Sequence, residues 1–194
     1  MLANNICKTA ALLTENCGHW ALRLLLALLL GTCLTPLVFA NNSKEAQVKA
    51  SYIYNFAKFV KWPATNITPN TMPFYICIEG AHALSGNIQQ LQDRQLDGHK
   101  IEIRNFAEAA EPSQCNILFI GDSEQRSLGE LLQQVSSTPV LTISDLPDFA
   151  DHGGMIGMKV QNNRVRFDIN LGAAQKAALE INSQLLKLAL RVIL

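Results

Sequence analysis

Three short apolar runs of β type constrain the fold of this chain more than any other feature. They are Phe74–Ile78, Cys115–Ile120 and Pro139–Ile143, and turn-forming or polar residues follow each run. The segments Ala81–Leu91 and Ser123–Val135 carry apolar residues at helical spacing, with Ser123 as a candidate N-cap. Strands that alternate with helices favour a parallel sheet covered on both faces. We therefore predict an α/β fold with three layers, a mostly parallel sheet and flanking helices.

The first helix of the fold is predicted in Val48–Pro63, where apolar residues form one broad face. Its final proline cannot continue a helix, so the helix should end sharply, and Ser43 is a candidate N-cap. Burial in a core explains most of this segment. Lys58 and Trp62 are the residues with room to contact a partner or ligand.

The C-terminal part departs from this alternation. Met155–Val160 and Arg164–Asn170 flank the turn candidate Asn162–Asn163, which predicts an antiparallel hairpin. Asn170 should cap a long last helix whose apolar face reaches Val192. The outer face of the second hairpin strand carries three charged residues, Arg164, Arg166 and Asp168. That row either docks a partner or is a solvated face.

The first 40 residues resemble a secretory signal peptide. Arg23 precedes the apolar run Leu24–Leu30, and Val38–Ala40 supplies a cleavage site after position 40. The predicted domains are thus a signal peptide, 1–40, and one exported α/β domain, 41–194. An uncut membrane anchor and lipidation at Cys33 are the alternatives.

Charge and motifs exclude several classes of function. Without Lys8, Arg23 and Glu15 the remaining chain has 14 basic and 15 acidic residues, so no basic patch for nucleic acid is expected. The chain has no Gly-x-Ser-x-Gly elbow, phosphate-binding loop or dinucleotide fingerprint. No two histidines have metal-ligand spacing on a helix. We predict no catalytic residue, cofactor or metal.

Carboxylates at the ends of the predicted strands are the candidates for a ligand site. Ligands of parallel α/β sheets bind beyond the carboxyl ends of the strands, and Glu79, Asp122 and Asp145 follow three of them. They could face a ligand amine or act as acid and base. The alternative is helix capping and turn formation, which explain Asp122, Ser123 and Asp145 fully without a ligand.

Cys77 and Cys115 are the cysteines that remain after position 40. Two cysteines in an exported domain suggest one disulfide, and two free buried thiols are the alternative. If their two strands are parallel neighbours, the cysteines could lie across from each other. A Cys-x-x-Cys redox motif is absent.

Several stretches together resemble the YfiR family of bacterial periplasmic proteins, also called YfiR/HmsC-like. The first is Lys49–Pro63, followed by the strands that hold Cys77 and Cys115, and the last runs from Val140 to Ala189. Cys77 and Cys115 match the family's cysteine pair. Some members carry a second disulfide near the Gly-Gly-Met-Ile segment, where this chain has only His152.

The resemblance implies a regulator without enzymatic activity. Such a protein would bind the periplasmic region of a membrane GGDEF diguanylate cyclase, repress it, and lower cyclic di-GMP and biofilm formation. An outer-membrane lipoprotein would sequester the repressor, and the oligomeric state, a homodimer included, stays open. The rival hypotheses are a small-ligand sensor that uses the strand-end pocket and a periplasmic hydrolase.

Overall fold

A computed structural model describes residues 37–63, 72–109 and 111–194 of the chain. Most of the predicted signal peptide and Cys33 lie outside these residues, so cleavage and lipidation stay predictions. Within the described residues, no helix has the length and apolar character needed to cross a membrane.

The centre of the fold is an eight-stranded sheet in the order β10-β8-β7-β6-β5-β2-β4-β3. Five neighbouring pairs are parallel, and β7–β8 and β3–β4 are antiparallel. A separate antiparallel ladder joins β1 to β9. The strands are β1 (Val60–Lys61), β2 (Phe74–Glu79), β3 (Gln95–Leu96), β4 (His99–Asn105), β5 (Ile117–Ile120), β6 (Leu141–Ser144), β7 (Ile156–Gln161), β8 (Arg164–Asn170), β9 (Glu180–Ile181) and β10 (Arg191–Ile193).

Helices cover both faces of the sheet, so the three-layer α/β prediction is confirmed. The helices are α1 (Leu37–Phe59), α2 (Ser85–Gln89), α3 (Leu128–Val135), α4 (Leu171–Lys176) and α5 (Ser183–Leu188). Successive strand residues point to opposite faces, which creates two apolar cores. Ile76 and Phe119 belong to the core that includes α1, α2, α4 and α5. Cys77 and Leu118 belong to the core beneath α3.

Two predicted helix starts are wrong. Helix α1 begins at Leu37, so Ser43 lies inside the helix and is not its N-cap. Helix α3 begins at Leu128, after a short 3-10 turn that contains Ser123. The Ser123 hydroxyl accepts a hydrogen bond from the Ala81 backbone N–H at 2.9 Å, so it connects two loops and does not cap a helix.

The long C-terminal helix is also wrong. Asn170 does cap α4, accepting a hydrogen bond from the Ala173 N–H at 2.8 Å, but α4 ends at Lys176. Ala178 then adopts a left-handed φ of 57°. Two short strands follow, with the short helix α5 between them: β9 pairs with β1, and β10 pairs with β8. These pairings satisfy backbone groups that a continuous helix would have paired locally.

The predicted hairpin forms as expected from Met155 onward. Asn162 and Asn163 have φ values of 52° and 58°, the left-handed conformations that a tight two-residue turn requires. Phe167 and Ile169 are buried beneath α1. Ring contacts of Phe167 with residues of α1 hold the hairpin against the helix.

Cys77 and Cys115 form one disulfide, as predicted. Their Cα atoms lie 5.8 Å apart, within the usual range for a disulfide, and both residues are buried. Strands β2 and β5 are parallel neighbours, with Cys77 opposite Leu118. Cys115 lies two residues before β5, so the bridge ties β2 to the turn that precedes its neighbour β5, inside the core beneath α3.

Candidate functional site

The three strand-end carboxylates do not form one site. Asp145 follows β6 and contacts α1. Glu79 ends β2 and alternates with Ile78, so it points to the α3 face. Asp122 is exposed in the 3-10 turn after β5. All three residues lie at the carboxyl edge of the sheet, because they end or follow parallel strands. Their side chains are apart, because they point to different faces of the sheet or lie in different loops.

Asp145 is the centre of a nearly buried polar cluster. Lys49 of α1 donates to its Oδ2 at 2.6 Å, and the His82 Nε2 lies 2.9 Å from its Oδ1. His82 Nδ1 accepts a hydrogen bond from the Leu84 N–H at 2.9 Å, so Nε2 carries the proton that faces Asp145. Glu45 adds a second carboxylate 2.7 Å from Lys49. This cluster connects α1 to the loops after β2 and β6.

The charges in this cluster stabilise each other against desolvation. Burial alone would raise the pKa of Asp145, but hydrogen bonds from His82 and Lys49 outweigh it and lower the pKa to about 2. Burial opposes the charge of Lys49, yet its bonds to Asp145 and Glu45 hold its pKa above the ordinary value. Asp145 is thus an ionised partner of Lys49 at neutral pH.

A groove of about 450 Å³ opens beside this cluster. Its polar walls include Lys49, Asp145 and Asp168, and its apolar walls include Phe149 and Met158. Of the predicted strand-end carboxylates, only Asp145 lines this groove. A small molecule in the groove would meet both signs of charge next to apolar surface.

Glu79 lies in a different environment. Its burial and the nearby Glu124 carboxylate raise its pKa, while a hydrogen bond from the Ala107 backbone opposes the shift. Gly80, with φ of 77°, lets the chain pass close to Glu124. Glu79 therefore belongs to the contact between the loops after β2 and β5.

The charged row on the hairpin is only partly solvated. Arg164 and Arg166 are exposed, as expected for an outer face. Asp168, on the same row, is buried, because Lys159 donates to its Oδ2 at 2.7 Å and Arg191 of β10 donates at 3.1 Å. The expectation of a solvated Asp168 is wrong, since strand β10 carries a guanidinium group over it.

Lys58 lies in a cationic arrangement around Tyr54. The Lys58 Nζ is 4.4 Å from the centre of the Tyr54 ring, and the Arg94 Cζ is 4.2 Å from it. The Tyr54 hydroxyl donates to the Gln95 backbone carbonyl at 2.8 Å, which fixes the ring against β3. Tyr54 and Arg94 were not among the predicted contact residues, because they are 40 residues apart and nothing local to either one indicates their contact.

Trp62 is held in place by two contacts. Its indole N–H donates to the Asn116 carbonyl at 3.2 Å, and its ring stands edge-on to Phe74 with centroids 5.2 Å apart. The Trp62 side chain also forms one wall of a slot of about 290 Å³. Trp62 therefore has a packing role and a partly exposed face.

Among the described residues, no group of three or more histidine, cysteine or acidic side chains is arranged to hold a metal ion. The buried ion pair of Lys49 and Asp145, the groove and the slot are the features that could serve recognition.

The YfiR/HmsC-like family model matches residues 46–190, from within α1 to the residue before β10. The match includes both cysteines of the disulfide, the hairpin and the Lys49–Asp145 pair. The family is regulatory, non-catalytic and periplasmic, and the buried disulfide fits an oxidising compartment. The sequence resemblance is thus confirmed: the chain belongs to the YfiR/HmsC-like family.

Proposed function

We propose that this protein is a periplasmic repressor of an inner-membrane GGDEF diguanylate cyclase. Membership of the YfiR/HmsC-like family, over residues 46–190, is the observation that carries this proposal. The Cys77–Cys115 disulfide supports it, because disulfides persist in oxidising compartments. Residues 1–40 then serve as the export signal and are removed, leaving one domain from residue 41 onward.

Repression by binding requires a difference in affinity between two states of the cyclase. A repressor that binds both states equally shifts no population, however tightly it binds. A hundredfold preference for the inactive state corresponds to about 2.7 kcal/mol. An outer-membrane lipoprotein that sequesters the repressor would release the cyclase, raise cyclic di-GMP and promote biofilm.

The test is a binding measurement with the protein purified from cells that express the full chain. Its partner is the periplasmic domain of a membrane GGDEF cyclase from the same organism. We expect binding by the oxidised protein and lower cyclase output in cells that contain it. Weaker binding after reduction would make the disulfide a regulatory element, and unchanged binding would leave it a structural one. Absence of binding to every such cyclase would refute the repressor function.

A small-ligand sensor is the second candidate, and the groove beside Asp145 favours it. The groove combines a nearly buried ion pair with apolar walls, as small-molecule sites commonly do. A thermal-shift screen of periplasmic metabolites tests it, since a ligand at 100 times its Kd adds about 2.7 kcal/mol of stability. A hit that Asp145→Asn abolishes, while the variant stays folded, would support the sensor.

A further inference from the structure

One exposed surface of the protein carries cations that have no acidic partner among the described residues. Lys58, Lys61 and Arg94 are exposed, and within the described residues none of them forms an ion pair. Lys58 and Arg94 both lie against the ring of Tyr54. Cations on an aromatic face are weakly hydrated on that side and remain free to bind an anion on the other.

An apolar slot lies beside these cations. Its apolar walls are Ala57, Val60, Trp62, Phe74 and Leu96, and its polar residues are Lys61, Asp97 and His99. Its volume of about 290 Å³ has room for one large apolar side chain. His99 is already engaged, with its Nδ1 2.9 Å from the Met72 carbonyl.

The slot and the cations share the seam between α1 and β3. Ala57 lines the slot, and Lys58 follows it on α1. Leu96 lines the slot, and the carbonyl of the preceding residue, Gln95, binds the Tyr54 hydroxyl. The hydrogen bond of Tyr54 thus fixes the cationic part of the seam next to the apolar part.

We propose that this seam is the docking surface for an acidic segment of a partner protein. One apolar side chain of the segment enters the slot beside Trp62, and its flanking carboxylates bind Lys58 and Arg94. The planar guanidinium of Arg94 can bind a carboxylate through two hydrogen bonds. The inference rests on the proposed function in one respect, that the segment belongs to the cyclase's periplasmic domain.

Acidic residues of the protein near the seam determine which of its cations attracts a partner's carboxylate most strongly. Asp97 lines the slot, and Glu180 is the cross-strand neighbour of Lys61 in the β1–β9 ladder. Both weaken the positive field on the side of Lys61. Asp93 is engaged by Lys100 at 2.9 Å. The positive field is therefore opposed least at Lys58 and Arg94, the two cations that contact the Tyr54 ring.

The experiment compares a double charge reversal with a matched control. The protein, purified from cells that express the full chain, is titrated against the cyclase's periplasmic domain. Lys58→Glu with Arg94→Glu should weaken binding at least tenfold and change the melting temperature only slightly, because both side chains are exposed and the contacts they lose within the protein are those with the Tyr54 ring. Arg126→Glu, an exposed cation on the loop before α3, should bind within twofold of wild type. Equal binding by the double variant and wild type would overturn the proposal.

A peptide titration separates this proposal from the proposed function. Trp62 is the sole tryptophan between residues 41 and 194, so its fluorescence reports on the slot in the processed protein. A short peptide with one phenylalanine flanked by aspartates should change that fluorescence, and the same peptide with lysines should not. If no cyclase domain binds but the acidic peptide does, the surface stands and the cyclase assignment fails. If neither peptide nor cyclase domain binds, the docking surface is refuted.

Discussion

Replacing Asp145 with asparagine removes the charge on which Lys49 and His82 converge. The lowering of the Asp145 pKa from 3.8 to about 2 corresponds to roughly 2 kcal/mol of stabilisation at neutral pH. Removal of one partner from a buried ion pair costs about 3–5 kcal/mol. For Asp145→Asn we expect a loss of roughly 2 kcal/mol, the smaller of these two estimates. Glu45 remains as an acceptor for Lys49, and the side chains of Lys49 and Asp145 keep 10% and 11% of their surface exposed.

The assay is urea unfolding followed by the fluorescence of Trp62. A loss of roughly 2 kcal/mol should lower the urea midpoint by about 1 M for a domain of this size. Asp122→Asn is the matched control, because the same chemical change is made at an exposed carboxylate. The control should remain within about 0.5 kcal/mol of wild type.

The difference in stability between wild type and Asp145→Asn should depend on pH. The folded pKa of Asp145 lies below its ordinary value, so the folded state binds the proton less tightly than the unfolded state. The wild-type advantage over Asp145→Asn should therefore be full above about pH 5 and disappear as the pH falls through about 4 to about 2. A variant as stable as the control at neutral pH would refute the reasoning. So would a wild-type advantage that does not change with pH.

Three further predictions concern the stability of the fold. Cys77→Ala with Cys115→Ala should cost about 4 kcal/mol, since the bridge closes a sequence separation of 38 residues, and reductant should lower the melting temperature of wild type but not of this variant. An unaltered melting temperature would contradict a structural role for the bridge. Gly154→Ala should cost about 1–3 kcal/mol in urea unfolding, because the added methyl would overlap the Phe149 ring. Gly129→Ala in α3, with open space around its Cβ, should instead add about 0.5–1 kcal/mol, and a loss of stability there would contradict this account.

Loss of the network of Lys49, His82 and Asp145 should affect the proposed docking surface as well as stability. The network joins α1, which carries part of the docking seam, to the loops at the carboxyl edge of the sheet. Its loss should therefore loosen α1 from the sheet. Binding assays with Asp145→Asn need the stability data beside them, so that a docking effect is separated from partial unfolding.

Local patterns in the sequence determined the central part of this fold. The apolar runs around Cys77, Leu118 and Ile143 are buried on both faces, so only covered strands can accommodate them. The Asn162–Asn163 turn could be predicted because the two residues tolerate left-handed φ values. Family resemblance follows from the same residues, since the match covers the strands, the first helix and the hairpin.

Tertiary structure alone decided the path of the C-terminal segment and the side chains that meet at the candidate recognition surfaces. The segment after Lys176 has the apolar spacing of one long helix, yet only Ser183–Leu188 is helical, and the strands on either side of it pair with β1 and β8, to which no local pattern links them. Lys49 and Asp145 lie 96 residues apart in sequence. Arg94, just before β3, contacts Tyr54 of α1 because the fold places the start of β3 beside that helix. Helical periodicity and turn chemistry act over a few residues. Contacts between distant residues depend on the order of strands in the sheet, which the folded chain establishes as a whole.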